Sequence, residues 1–270
     1  MKKLLIYIVS YQRKSFTQGT IECIFRVKPP NSQIIICDNG STDGTREWLE
    51  ENQEKYELGL IFPEENLRVP GAWKLITKYF SEGDFDYILP LDNDNWLVPD
   101  KTWFDQWLEL FNLDPKIGSL GLQKERKPGY FVYDRIFDEN YNNKKSFKNL
   151  EYYDTVFYAG ARIDKFPLFH STMNNWKHEF IGDKIGRHYN ANGYRTLKIT
   201  PGFIVDISEY NFNNKSHEEY NQWFFEKERD GKNGKDYNYK LSKSLQIKET
   251  ENFVHKTFGE EYINLLNLLQ

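Results

Sequence analysis

The sequence predicts a doubly wound α/β sheet followed by a C-terminal helical extension. Apolar, β-prone runs alternate with helical patterns through residues 1–122, which is typical of strands joined by crossover helices. The first run, residues 4–9, is continuously apolar, as expected for a parallel strand covered on both faces. Polar clusters come directly after several of the runs, where sheets of this class bind their ligands.

The first three strands are predicted from their apolar runs. Residues 4–9 are followed by a helical pattern at 15–26. Residues 34–37 form the second run, and the polar turn after it leads into a helix that ends near Asn52. The third strand is predicted at residues 58–62.

The next elements continue the alternation of helix and strand. A helix is predicted at 70–80, with Pro70 tolerated because the missing N–H has no partner in a first helical turn. Residues 87–91 form the fourth strand, a helix with Trp and Leu at helical spacing covers 101–113, and 117–122 form the fifth strand.

The alternation ends after residue 122. A stretch rich in Lys, Asn and Tyr at 124–149 predicts loops and a hairpin over the sheet edge, followed by a strand at 155–159 and a helix at 179–192. Residues 216–270 alternate charged and apolar residues at helical spacing. This tail predicts helices that pack on the domain or on a partner.

Composition restricts the classes of function. The formal net charge of −4 argues against general nucleic-acid binding, which needs a basic face. Cys23 and Cys37 lie on apolar segments, so neither a disulfide framework nor a zinc cluster is predicted. No run approaches the roughly 20 apolar residues of a membrane span, and the start of the chain lacks a signal cleavage site. We expect a cytoplasmic location and leave peripheral membrane contact open.

Three polar clusters fall at the predicted ends of strands. They are residues 10–13 after the first strand, 38–43 after the second and 92–94 after the fourth. The carboxyl ends of parallel strands lie along one edge of a doubly wound sheet. The sequence therefore predicts that these clusters converge on one ligand site.

The third cluster has the chemistry of a cation site. Asp92 and Asp94 flank Asn93, and two carboxylates at this spacing can bind a hard divalent cation or the diphosphate that it carries. The spacing alone is also that of a solvated turn. Asp84 and Asp86 share it but precede the fourth strand, which places them at the opposite edge.

Asp38 has two interpretations. Acidic and hydroxyl residues stabilise helix starts, so Asp38 could belong to a capping turn. Ser41 or Thr42 can instead cap the following helix, which would leave Asp38 to accept a hydrogen bond from a uracil-like base.

Glycine-rich phosphate loops are missing from the sequence. No G-x-G-x-x-G follows the first strand and no G-x-x-x-x-G-K-[ST] occurs anywhere. Any bound diphosphate then needs a metal ion, Mn²⁺ or Mg²⁺, to neutralise its charge, which agrees with the acidic cluster.

Four segments carry a resemblance to a known family. IYIVSYQR, IIICDNGSTDGT, EENLRVPGAW and DYILPLDNDN, in this order and spacing, resemble the family 2 glycosyltransferases of GT-A fold over residues 1–122. The family often has Gly where this chain has Arg68. The resemblance implies a donor-binding site made of Ser10, Tyr11, Arg13, Asp38, Asn66, Arg68, Asp92 and Asn93, with Asp92 and Asp94 as the DxD metal and ribose site.

The second half resembles the family more loosely. FYAGARID is similar to an acceptor-side segment, which suggests Gly160 and Ala161, together with Trp96, as acceptor-binding residues. FIGDKIGRHYNANGYRT resembles the helix that carries the catalytic base. The family's Glu-Asp pair is replaced by Gly-Asp, so Asp183 is the candidate base and Glu179 the reserve. An acidic residue favoured by the helix dipole is the alternative for Asp183.

The third metal ligand stays open between two residues. In many members of the family a His completes the metal site, whereas the corresponding stretch ITPGFIVDIS has Asp206. A carboxylate also binds Mg²⁺ or Mn²⁺. His217 is the other candidate.

These observations predict a metal-dependent glycosyltransferase that moves a sugar from a nucleotide sugar, preferably a UDP-sugar, to a glycan or other hydroxyl acceptor with inversion. Residues 1–122 would bind the donor, 123–212 the acceptor, and 213–270 would form the helical extension, where a homo-oligomer could form. The alternatives are an inactive nucleotide-sugar-binding module and a sugar nucleotidyltransferase, although the latter normally has a glycine-rich loop after the first strand. Transfer to modified DNA bases is disfavoured by the acidic charge.

Overall fold

The protein is a mixed α/β structure, seen in a computed structural model. Its strands are β1 (Leu4–Ser10), β2 (Ser32–Asp38), β3 (Leu58–Ile61), β4 (Tyr87–Asp92), β5 (Asn95–Leu97), β6 (Ile117–Gly121), β7 (Lys145–Phe147), β8 (Leu150–Asp154), β9 (Ala161–Arg162), β10 (Arg195–Thr200) and β11 (Ile204–Asp206). Its helices are α1 (Lys14–Val27), α2 (Thr45–Glu51), α3 (Gln53–Tyr56), α4 (Arg68–Leu75), α5 (Trp103–Leu113), α6 (Ile181–Ala191) and α7 (Ile263–Leu268). The structure describes residues 2–76, 85–122, 143, 145–148, 150–154, 161–162, 181–200, 203–207 and 254–268.

Nine of the described strands form one sheet in the order β3-β2-β1-β4-β9-β6-β10-β8-β7. Strands β1 to β4 run parallel to one another, whereas β9 runs antiparallel to both of its neighbours, β4 and β6. Strand β10 is parallel to β6 and antiparallel to β8. A separate two-stranded sheet pairs β5 with β11. The predicted α/β class is confirmed, and in the nine-stranded sheet every antiparallel pairing involves a strand after residue 122.

Both faces of β1 are buried, which explains its continuous apolar sequence. Leu4, Ile6 and Ile8 belong to one core cluster, which also contains residues of α1 and α5. Leu5 and Tyr7 belong to another, which contains residues of α4 and α6. Helices therefore cover both sides of the sheet, as a doubly wound fold requires.

The strongest sequence patterns gave the most accurate elements. The first five predicted strands are present as β1, β2, β3, β4 and β6. A hairpin was predicted within residues 124–149, and the hairpin of β7 and β8 at the sheet edge begins in that stretch but extends past it to Asp154. Helix α4 begins at Arg68, two residues before the predicted start. Four strands were missed, namely the short strands β5, β9 and β11 and the longer β10. The strand predicted at 155–159 lies outside the described residues.

Helix α6 lies directly against β6. A Cβ atom added at Gly118 would lie 2.4 Å from Cδ1 of Tyr189, so a larger residue would push the helix away. This contact fixes the height of α6 above the sheet, and with it the position of the helix that contains Asp183.

The described C-terminal residues pack on their own chain. The helical segment 254–258 and α7 contribute Val254, Phe258 and Leu266 to a third core cluster, together with Phe16 from α1 and Trp96 from β5. The tail was predicted to pack on the domain or on a partner, and this part of it packs on the domain. No helix in the part of the chain that the structure describes is long and apolar enough to span a bilayer.

Candidate active site

The carboxyl ends of β1, β2 and β4 lie side by side. In the strand register Ser10 is opposite Asp38, and Val9 is opposite Asp92. The three polar clusters therefore meet at one edge of the sheet, as their positions after the strands predicted. Asp86 lies at the other edge, where its carboxylate accepts hydrogen bonds from the Lys3 amide and the Lys2 ammonium, both at 2.9 Å.

The loop after β1 has an unusual backbone conformation. Gln12 and Arg13 have φ values of 55° and 64°, in the left-handed region. The Gln12 amide donates to Oγ of Ser41 at 2.7 Å, and its side chain exchanges hydrogen bonds with Thr42 at 3.1 and 3.2 Å. These contacts join the first cluster to the second and offset the cost of the left-handed conformation.

Asp94 is paired with Arg13. Nη1 of Arg13 donates to Oδ2 of Asp94 at 2.9 Å, and both side chains are largely buried. The guanidinium also lies 4.2 Å from the ring centroid of Phe16. Oδ1 of Asp94 accepts a hydrogen bond from the Asn95 side chain at 3.3 Å. Arg13 was predicted to bind the donor, and the structure places it beside the predicted metal ligand.

Asp92 and Asn93 differ sharply in their surroundings. Asp92 is exposed, and its backbone amide donates to Oδ1 of Asn95 at 3.2 Å. Asn93 is buried, and its side-chain amide donates to the Gln12 carbonyl at 3.2 Å and to Oγ1 of Thr17 at 3.1 Å. These hydrogen bonds show that the Asn93 side chain stabilises the turn, whereas the side chain of Asp92 is exposed to solvent.

Ser10 also faces the interior. Its side chain is fully buried and shares a hydrogen bond of 2.9 Å with Thr17, while its carbonyl accepts from the Asn39 amide at 2.8 Å. Tyr11, the next residue, is half-buried. The predicted base contact of Ser10 stays a prediction, but its hydroxyl is already engaged by Thr17.

Asp38 is a buried carboxylate with spare hydrogen-bonding capacity. Oδ1 accepts from the Ser41 amide at 3.0 Å and lies 3.8 Å from Nε of Arg46. Within the described residues Oδ2 has no hydrogen-bond partner. Burial raises the pKa of the Asp38 carboxyl above its ordinary value, although the hydrogen bonds from Ser41 and the charge of Arg46 oppose this shift. Oδ2 is itself shielded from solvent, so a ligand could donate to it only after the surrounding loop moves.

The Asp38 pKa leads to a test. Because the pKa of Asp38 is higher in the folded state than in the unfolded state, the folded protein binds this proton more tightly. The stability from this tighter binding is fully present below the unfolded-state pKa and is lost as pH rises through the folded-state pKa. Asp38→Asn should therefore stabilise the protein at pH 7, and the gain should shrink toward pH 3 in urea unfolding. The same variant should bind UDP about 10- to 100-fold more weakly, because a bond to a charged group is lost. Destabilisation at pH 7 would contradict this.

Asn66 is held next to the second cluster. Nδ2 of Asn39 donates to Oδ1 of Asn66 at 2.9 Å, and Oδ1 of Asn39 accepts from the Leu67 amide at 2.9 Å. Oδ1 of Asn66 also accepts from the Arg68 amide at 2.8 Å. Asn66 and Arg68 are exposed beside the second cluster, and their predicted contact with the donor stays a prediction.

Arg68 occupies a backbone position suited to glycine. Its φ is 58°, in the left-handed region, which gives a physical reason for the Gly that the family often has here. The left-handed conformation costs about 1–2 kcal/mol in an L-residue. A glycine avoids this cost, but it lowers the free energy of unfolding by about 0.4–1 kcal/mol because the unfolded chain gains conformational entropy.

Arg68→Gly should therefore raise the free energy of unfolding by up to about 1 kcal/mol. Arg68→Ala removes the same charge but keeps the strained Cβ, so its stability should stay near that of the natural protein. Urea unfolding measures the difference. If the guanidinium contacts the donor, both variants should weaken UDP binding equally. A Gly variant less stable than the Ala variant would contradict the strain argument.

The backbone of Asp206 lies beside the turn that contains Asp94 and Asn95. In the β5–β11 pair Asp206 is opposite Asn95, and the Ile207 amide donates to the Asp94 carbonyl at 2.8 Å. Among the described residues no group of three acidic, His or Cys side chains forms a metal cluster. His217 lies outside the described residues. The placement keeps Asp206 as a candidate third ligand.

The predicted acceptor and catalytic residues are only partly described. Trp96 is fully buried against Phe258, with ring centroids 5.5 Å apart, so the packing assigns it to the core instead of an acceptor-facing surface. Ala161 lies in β9, opposite Ile88 of β4. Asp183 is the third residue of α6. Gly160 and Glu179 lie outside the described residues.

Several residues that build the site were not predicted. Gln12, Thr17, Asn39, Arg46 and Asn95 each make a contact that positions one of the predicted side chains. Gln12 and Asn39 lie within the clusters and Asn95 directly follows one, so the clusters were the signal for these three. Thr17 and Arg46 lie further along in helices α1 and α2, where the sequence offered no signal for their contacts.

Known proteins resemble this chain in sequence and in fold. Residues 5–169 match the glycosyl transferase family 2. The poly-beta-1,6-N-acetyl-D-glucosamine synthase of Staphylococcus epidermidis is 23% identical over 113 residues, which are 42% of this chain and 26% of the synthase. The synthase of Staphylococcus aureus (strain COL) is 22% identical over 120 residues, 44% of this chain and 28% of that protein. These matches span little more than a quarter of the curated relatives.

Solved structures share the fold. The mannosyltransferase PcManGT from Pyrobaculum calidifontis, in complex with GDP-Man and Mn²⁺, superposes with a TM-score of 0.57 at 16% identity, covering 99% of this chain and 72% of that one. S. aureus TarS 1-349 in complex with UDP-GlcNAc gives a TM-score of 0.53 at 13% identity, covering 97% and 72%. The family match includes β1, β2 and β4 and extends over more than half of the sequence, so this chain belongs to glycosyltransferase family 2.

Proposed function

We propose that this protein transfers a sugar from a nucleotide sugar, preferably a UDP-sugar, to a hydroxyl group of a glycan or similar acceptor. The observation that carries the proposal is the register that brings Ser10, Asp38 and Asp92 together at one sheet edge. A nucleotide bound there would lie between the Asp38 carboxylate at one end and the carboxylates of Asp92 and Asp94 at the other.

The nucleoside end of the donor would lie near Asp38. Its Oδ2 has no partner among the described residues and, once the surrounding loop moves, can accept a hydrogen bond from the imide N–H of uracil. Asn66 and Arg68 are exposed beside it, where they can contact the base or a phosphate. Tyr11, half-buried next to Ser10, would cover the base.

The carboxylates fit a divalent cation that binds together with the donor. Mg²⁺ and Mn²⁺ are commonly held by one or two carboxylates plus substrate phosphates and waters, so Asp92 and Asp94 suffice without a complete protein cage. Asp92 is exposed, and Oδ2 of Asp94 is fixed by Arg13. When bound, the cation would neutralise the diphosphate and stabilise the charge of the leaving group. Asp206 would be the third ligand.

Transfer itself needs a base that activates the acceptor. Asp183 in the first turn of α6 would take the proton of the acceptor hydroxyl as its oxygen attacks the anomeric carbon, and inversion would follow from this single displacement. Residues 1–122 would bind the donor and 123–212, including Gly160 and Ala161, the acceptor. Residues 213–270 would form the helical extension.

The relatives suggest which donor to test first. The curated relatives are named for a polymer of N-acetylglucosamine, and one structural neighbour was solved with UDP-GlcNAc. Another was solved with GDP-Man and Mn²⁺. UDP-GlcNAc with Mn²⁺ is therefore the first choice, with GDP-Man as the comparison.

The test measures binding and turnover separately. We expect UDP-GlcNAc or another UDP-sugar to bind in calorimetry with Mn²⁺, at least about tenfold more weakly with EDTA, and UDP to be released when an acceptor mixture is added. Binding without any release would favour the inactive binding module. Formation of nucleotide sugar from a sugar phosphate and UTP would favour the nucleotidyltransferase. Lack of binding to every nucleotide sugar would reject the proposal.

A further inference from the structure

We propose that the C-terminal segment 254–266 is a positioning element for the acidic turn at residues 92–95, an inference that rests on the proposed function of that turn. The segment lies far from the turn in sequence but shares a core cluster with the residues that hold it. It would thereby control how tightly the protein binds a diphosphate and its cation.

The first connection runs through Trp96, two residues after Asp94. Trp96 is fully buried, and the ring of Phe258 meets it edge-to-face with the centroids 5.5 Å apart. On its other side the indole lies against α1, since a Cβ atom at Gly19 would be 3.1 Å from it. Phe258 therefore closes the pocket that fixes the end of the turn.

The second connection runs through β11. The Ile207 amide donates to the Asp94 carbonyl at 2.8 Å, and β11 pairs with β5 directly after the turn. Val205 and Ile207 are buried in the same cluster as Val254 and Phe258. The strand that holds the Asp94 backbone thus depends on the C-terminal segment for its packing.

The third connection reaches the Asp94 carboxylate. Arg13 binds Oδ2 of Asp94 at 2.9 Å and rests on the ring of Phe16. Phe16 is buried in this cluster as well. The backbone of Asp94, its carboxylate and the following strand are therefore all supported by side chains that the C-terminal segment covers.

Close-packed protein interiors have few voids and therefore transmit strain. A cavity at Phe258 should loosen the turn at residues 92–95 before it unfolds the sheet. The matched control is Phe111 of α5, which is buried like Phe258 but packs against Tyr87 at the opposite end of β4. Phe258→Leu and Phe111→Leu remove similar volumes from two different clusters.

The experiment compares these two variants in the full chain, below the melting temperature of both. Hydrogen exchange of residues 92–97 and of the Ile207 amide should be about tenfold faster in Phe258→Leu than in Phe111→Leu. The dissociation constant for UDP with Mn²⁺ should rise about five- to tenfold in Phe258→Leu and less than about twofold in Phe111→Leu. Equal exchange and equal affinity in the two variants would overturn the inference.

Two further arms keep the result decisive. If Phe258→Leu does not fold, Val254→Ala in the same segment is compared with Val27→Ala, a buried valine of the first core cluster. If the natural protein binds no UDP, the proposed function fails, and the exchange comparison alone still decides whether the segment positions the turn.

Discussion

Asp94→Asn is expected to lower metal-dependent UDP release by about 10²- to 10³-fold while the protein remains folded. Asn is isosteric, and its carbonyl oxygen can still accept the hydrogen bond that Arg13 donates to Oδ2. The variant loses the negative charge that attracts a cation, and cation stabilisation of a leaving diphosphate is worth several kcal/mol. Released UDP at increasing Mn²⁺ concentrations measures the loss, and circular dichroism monitors folding.

The choice of Asn matters because of the buried ion pair. Asp94→Ala would leave the Arg13 charge buried without its partner, a change that typically costs about 3–5 kcal/mol. Loss of activity in that variant would not separate metal binding from unfolding. The Asn variant also removes the negative charge, but it keeps a hydrogen-bond acceptor for Arg13 and fills the same volume. Its loss of stability should therefore be smaller, and the folding control by circular dichroism can separate the two effects.

Asp86→Asn is the matched control. Asp86 belongs to the other acidic pair but lies at the amino end of β4, where it accepts hydrogen bonds from Lys2 and Lys3. Partial burial raises the pKa of Asp86, but the Lys3 amide and the Lys2 charge outweigh it and hold this pKa below its ordinary value. The control should therefore lose some stability at neutral pH and keep full activity. Full activity in Asp94→Asn as well would refute the metal assignment.

The convergence of the polar clusters was predictable because parallel strands align their ends. Once β1, β2 and β4 were identified from their apolar runs, the positions of Asp38 and Asp92 followed, as did the opposite position of Asp86. This argument needs only strand direction and neighbour relations, both of which the alternating pattern supplies.

The contacts within the site were not predictable in the same way. Arg13 and Asp94 are 81 residues apart, and their ion pair depends on the left-handed backbone of the loop after β1. Trp96 was predicted to bind the acceptor but is buried in the core. The sequence alone does not distinguish an aromatic ring that stacks on a sugar from one that packs in a core. Strands β5 and β11, three residues each, are too short to show a period.

The helix α6 carries the other large effect that we expect. Asp183→Asn should reduce sugar transfer by about 10²- to 10⁴-fold, the usual contribution of a general base, while the dissociation constant for UDP stays within about twofold. A donor-binding residue would instead lose affinity. Single-turnover transfer and calorimetry on the same preparation measure the two quantities.

A helix-dipole effect is the competing explanation, and the chain supplies its control. Asp183 is the third residue of α6, and Asp105 is the third residue of α5, where it is exposed. An acidic residue in a first helical turn contributes about 0.3–1 kcal/mol. Asp105→Asn should therefore show that small loss of stability with unchanged transfer.

If Asp183 acts only through the dipole, the two Asn variants will behave alike, with slightly lower melting temperatures and near-normal turnover. If Asp183 is the base, its variant alone will lose transfer, and the rate that remains will lose its dependence on the ionisation of a carboxylate at low pH. Equal loss of UDP affinity and transfer would reject the base role and place Asp183 in the donor site. A product with inverted anomeric configuration would add independent support, because a base that deprotonates the acceptor implies a single displacement.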